Sequence, residues 1–133
     1  MFISFHYQLF VHIITYILNI ILRGDDNLSS YIRIIYDRLD FIEFKQNLIL
    51  LKQPQHKASV FFNLTLDDFL KIRDFTFEFE SSIKSGVRYS ISDYENKLFE
   101  IWPLIKSYPS SSTLVAKILM SEDVFNSLFA SIN

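Results

Sequence analysis

The first 22 residues, MFISFHYQLFVHIITYILNIIL, contain no Asp, Glu, Lys or Arg. An uncharged run of this length has three destinations: a membrane span, a secretion signal, or the inside of a helical bundle. A secretion signal requires a positive leading segment and small residues at a cleavage site, and neither is present. A span requires about 20 predominantly apolar residues, which the length allows. Ser4, Gln8, His12, Thr15 and Asn19 interrupt the run at spacings of 4, 4, 3 and 4. On a helix at 100° per residue they form one polar seam roughly 80° wide. Arg23 is followed at once by Gly24, Asp25 and Asp26, so the flank carries little positive-inside signal. The expectation is a buried helix at the centre of a soluble bundle, with a single-span anchor over residues 1–22 as the alternative.

The remaining chain reads as helical. Gly24 after Arg23 is a stop signal, and Asp25 or Asp26 can cap the next helix. Leu28, Ile32, Ile35 and Leu39, then Phe41, Phe44, Leu48 and Leu51, recur at helical spacing, giving a helical hairpin or one long helix that ends near Gln53-Pro54. Residues 58–64 are short and aromatic, and open to an extended reading. Thr65 followed by Asp67 and Asp68 marks a new N-terminus, with Phe69, Ile72, Phe75, Phe79 and Ile83 on one face. Asp67 with Lys71, and Glu80 with Lys84, stand in the favourable i,i+4 order.

Strict alternation in Phe75-Thr76-Phe77-Glu78-Phe79-Glu80 and again over residues 87–92 offers a competing hairpin around 75–91. Capping, ion pairs and Gly86 as a stop agree with one another on the helix. Ser92-Asp93-Tyr94-Glu95 matches a capping box, and Asp93 stands four before Lys97. Pro103 marks a break after Trp102. Residues 113–120 form a short apolar helix, and Ser121-Glu122-Asp123 caps a last one carrying Val124, Phe125, Leu128, Phe129 and Ile132. The fold class expected is mainly α, a single helical domain over residues 1–133 with a hydrophobic N-terminal helix. A small α+β arrangement with a hairpin at 75–91 is the alternative.

Chemistry-bearing motifs are scarce. There is no cysteine, hence no disulfide framework, thiolate zinc site or thiol nucleophile; the compartment stays open, with a reducing cytoplasm the easier fit. His6, His12 and His56 have no metal-ligand spacing. Gly24 and Gly86 stand alone, so no phosphate-cradling loop can be built. The close carboxylate pairs Asp67/Asp68, Glu78/Glu80 and Asp93/Glu95 each have a simpler account as caps or ion-pair partners. Neither an enzyme nor a cofactor is expected.

Net charge is −2, with six basic and five acidic residues before Thr65 and seven basic and ten acidic from it onward. Without a clustered basic surface a nucleic-acid partner is not expected. The acidic second half also holds Tyr89, Tyr94, Trp102 and Tyr108, side chains that anchor protein interfaces when they do not fill a core.

Ile83-Lys84-Ser85-Gly86, then Ile91-Ser92-Asp93-Tyr94-Glu95 and Lys97-Leu98-Phe99-Glu100-Ile101-Trp102, together resemble the small cytoplasmic immunity proteins of the colicin D type. Those are helical bundles in which a helix ends in a short turn and an acidic, aromatic-rich helix comes next. The stretch from Ser121 through Val124 and Phe125 to Phe129 is similar to that family's later helix. The resemblance covers roughly residues 66–133, and residues 87–90 are extra relative to the family. It implies a non-enzymatic inhibitor that masks a basic toxin domain. Asp93, Glu95, Glu100 and Trp102 would bind that partner, with Glu122 and Asp123 behind them. Competing function classes are a membrane-anchored helical protein and a viral helical bundle that contacts a host protein.

Overall fold

In a computed structural model, which describes residues 2–21, 26–52 and 55–130, most of the described residues are helical. Seven α-helices are described: α1 (Phe2–Ile21), α2 (Asp26–Leu50), α3 (Gln55–Ala58), α4 (Leu66–Lys84), α5 (Ile91–Ile101), α6 (Pro109–Leu119) and α7 (Glu122–Phe129). Two 3-10 turns, Ser59–Asn63 and Pro103–Ser107, join them, and no strand occurs among the described residues. The hairpin alternative at 75–91 is therefore replaced by the last turns of α4 and an extended connection. Residues 59–63, open to an extended reading in the sequence, form a 3-10 turn. The expected stop at Gly24, the cap at Asp25 and the position of Ile132 lie outside the described residues.

Where one domain was expected, the chain forms two compact units, Met1–Asp40 and Phe41–Asn133. The first holds α1 and the leading half of α2. The Tyr7 hydroxyl donates to the Leu39 carbonyl at 2.7 Å, pairing the start of one helix with the far end of the other segment, as in an antiparallel hairpin. Half-buried Tyr7, Val11, Ile14 and Leu18 share the side that carries this bond, at spacings of 4, 3 and 4. The polar seam behaves otherwise than expected. Thr15 satisfies its hydroxyl on the Val11 carbonyl at 2.7 Å, while Gln8, His12 and Asn19 are exposed. None of the described side chains of α1 is buried.

The second unit contains the core. Phe69, Ile72, Thr76 and Phe79, on the inward stripe of α4, are covered by α5, α6 and α7. Phe44 and Leu48 from the trailing half of α2 belong to the same core as Val60, Phe61 and Leu64. Ring contacts order this packing. Phe69 lies 5.0 Å from Phe41 and 5.2 Å from Phe44, and Phe61 lies 5.7 Å from Trp102. At the other end Tyr94 stacks on Phe75 at 5.3 Å and meets Phe79 at 5.2 Å. Buried hydroxyls are all satisfied among the described residues. Thr76 and Tyr94 share a bond of 3.0 Å, and Ser111 donates to the Lys57 carbonyl at 2.6 Å, fastening α6 to α3.

The helix ends follow local chemistry. Thr65 accepts the Asp68 N–H at 3.2 Å to start α4. At its other end the Gly86 N–H reaches the Ile83 carbonyl at 3.1 Å, and the Val87 N–H reaches Ser82 at 3.0 Å, a Schellman closure. Gly86 takes the left-handed φ of +102° that the closure demands. The box that opens α5 is Ser90 with Asp93, two residues earlier than expected. Helix α6 begins at Pro109, four residues before the apolar stretch noted in the sequence, because proline's fixed φ suits a first helical position.

Candidate functional site

The six residues expected to bind a partner do not form one surface. Asp93 is exposed, but its carboxylate accepts the Ser90 N–H at 2.7 Å and the Ser90 hydroxyl at 2.9 Å. Those two bonds hold its pKa below the usual carboxylate range, so the group serves the helix end first. Glu95 is half-buried and accepts the Ser112 hydroxyl at 2.7 Å, tying α5 to α6. Glu100 is exposed and paired with Lys97 at 3.1 Å, taking the lysine that the sequence assigned to Asp93. Seven residues apart on α5, Asp93 and Glu100 share its solvent side with Asn96 and Lys97, whereas Glu95 points elsewhere.

Trp102 is a correction. Only 5% of it is exposed, because the break at Pro103 turns the chain and leaves the indole packed against Phe61. Tyr94 is likewise interior, Tyr108 half-buried and Tyr89 partly exposed beside Phe79 at 4.5 Å. Glu122 and Asp123 are exposed in the first turn of α7, where negative charge complements the helix end. Of the six, Asp93, Glu100, Glu122 and Asp123 are exposed.

A carboxylate the sequence treated only as an ion-pair member does more. Glu80 accepts Lys84 Nζ at 2.8 Å and the Ser121 N–H at 3.0 Å, so it pins the start of α7 to α4. Partial burial raises its pKa, but the hydrogen bonds from Lys84 and Ser121 outweigh that and leave it below the ordinary value. A carboxyl with a depressed folded pKa stabilises above its unfolded pKa, about 4.3, and loses the contribution as pH falls through the folded value. Glu80→Gln is expected to be less stable than the parent at pH 7. The gap in urea midpoint should shrink as the pH is taken below about 4. Equal gaps at pH 7 and pH 3 would remove Glu80 from this role.

The surface that sequence reasoning missed lies on the first unit. Leu9, Phe10, Ile13, Tyr16 and Ile17 are each between 46% and 69% exposed and occupy one side of α1. Leu28, Tyr31, Ile34 and Ile35 are exposed on α2. A helix apolar on nearly all sides gives no periodic signal of which side stays uncovered, so only the absence of charge pointed there. Among the described residues no helix is long and apolar enough to cross a membrane, so the single-span alternative lacks its helix there. No group of three metal-binding side chains occurs among them either. No protein-family model, no curated protein and no solved structure matches this chain.

Proposed function

We propose that this chain is a non-enzymatic module that acts by binding another protein, with the apolar side of the N-terminal helical hairpin as its contact surface. One observation carries the reading: α1 has no charged residue, and five large apolar side chains on one of its sides are left about half or more in solvent. Contiguous apolar surface of this kind is costly in water and marks interaction sites. Two helices alone also cannot enclose a core, so a partner supplies the missing layer. A photo-crosslinking residue at Phe10 is expected to give one discrete protein adduct in cells, lost when Ile13 and Ile17 are changed to Asp. The same probe at Ser85, on the second unit, should give none. No adduct at Phe10, or equal adducts at both positions, would overturn the reading.

Neutralisation of a basic toxin domain is a second reading, favoured by the exposed carboxylates Glu100, Glu122 and Asp123. Complementary charge would speed such an encounter. In that case a Lys triple variant at these three positions weakens the complex steeply at low salt, while the Phe10 adduct is unaffected.

A further inference from the structure

A cavity of about 280 Å³ lies in the second unit, between the end of α2 and the 3-10 turn after α3. Leu48, Ile49, Ala58, Phe61 and Phe62 make its wall, and Lys45 and Lys52 are the charged residues on it. Among the described residues no carboxylate lines it.

Three features set the place apart. Phe62 and Ile49 are 83% and 76% exposed, the highest values for large apolar side chains among the described residues, and both border this cavity. Lys45 and Lys52 are seven residues apart on that same wall, and neither forms an ion pair among the described residues. Lys45 Nζ sits instead 4.1 Å over the Phe41 ring. Lys52 holds a left-handed φ of +48°, the one positive φ outside glycine among the described residues. Its N–H closes the end of α2 on the Ile49 carbonyl at 3.1 Å, a position where glycine or asparagine fits without strain. A lysine kept in a strained turn at a cavity mouth points from backbone to function.

From this juxtaposition we infer that the cavity binds a free medium-chain carboxylate, its hydrocarbon tail against Phe61, Leu48 and Ala58 and its carboxylate between Lys45 and Lys52. The chemistry matches on both ends. Apolar lining takes the chain, and two ammonium groups outside any ion pair among the described residues take one anionic head in charge-assisted bonds, Lys45 by leaving the Phe41 ring. The volume is at the small end for ligand pockets, which suits one unbranched tail better than a folded peptide segment. Buried Phe61 and Leu48 close the floor.

The test is calorimetric titration of the full chain with decanoate, below its micelle concentration. One saturable site per chain is expected, with decanol and decyltrimethylammonium binding about tenfold more weakly or worse, since a hydrogen bond to a charged group is at stake. Ala58→Phe, which fills the space, abolishes binding. Should that variant fail to fold, Lys52→Gly decides: it relieves the strained φ, raises the melting temperature, and weakens decanoate about tenfold. Decanol binding as tightly as decanoate would overturn the inference, as would several non-saturating sites or affinity unchanged in Lys52→Gly. Binding to phosphatidylglycerol vesicles without binding to decanoate would also overturn it, in favour of a lipid surface.

Discussion

Trp102→Ala is expected to lower the free energy of unfolding by about 3–5 kcal/mol, the usual cost of deleting a large buried aromatic. A small domain holds only about 5–15 kcal/mol in all, so this one change removes a large share. The indole sits against Phe61, and its backbone N–H closes α5 on the Leu98 carbonyl at 2.8 Å. The side chain thus fills the space where α5 hands over to the next 3-10 turn. Trp102→Phe keeps part of that volume and should cost distinctly less. Urea unfolding followed by far-ultraviolet circular dichroism measures both. Trp102 is the only tryptophan, so in the parent its fluorescence reports this packing alone. A loss under about 1 kcal/mol would mean that the indole is not a core element. The result also bears on function: a partner lost on Trp102→Ala would be lost through unfolding.

Tyr94→Ala should be comparably severe, again about 3–5 kcal/mol, because the ring is fully buried between Phe75 and Phe79. Its hydroxyl separates a second effect. Tyr94→Phe leaves the buried Thr76 hydroxyl without its partner at 3.0 Å, a cost of about 1–3 kcal/mol. Tyr94→Phe combined with Thr76→Val removes both polar groups and should recover most of it, which a double-mutant cycle in urea would quantify. If the double variant is no better than Tyr94→Phe, the hydroxyl pair is not the cause. Burial pushes the Tyr94 phenol well above the ordinary tyrosine range, against the opposing bond from Thr76. A proton held in the folded state and released on unfolding makes stability fall as pH rises past about 10.

The helices of the second unit were legible because their signals are local. Phe69, Ile72, Phe75, Phe79 and Ile83 recur at helical spacing, and all of them pack in or against the core. Gly86 stops α4 as its position after Lys84-Ser85 implied. Partner choice was not legible. The box expected at Ser92 with Glu95 gives way in the structure to one at Ser90 with Asp93. Glu95 is engaged by Ser112, a contact 17 residues away that no local rule contains. The same limit applies to Trp102, whose burial depends on Phe61, and to Glu80, whose second partner is Ser121. For α1, composition implied the helix, but burial depends on what surrounds it, and the chargeless run was compatible with a bundle interior or a membrane span. Of the carboxylates picked for a partner, Asp93 is claimed by a cap and Glu95 by a tertiary bond, while Glu100, Glu122 and Asp123 stay exposed.

A Cβ built on Gly86 meets nothing within 4 Å, although the backbone there is left-handed. Space and conformation therefore make separate demands at this turn. The position filters by handedness rather than by bulk: L-residues meet a backbone penalty there, asparagine the least, while a mirror-image D-alanine would avoid it and would also narrow the unfolded ensemble. The end of α4 is a place where the fold reads chirality and ignores size.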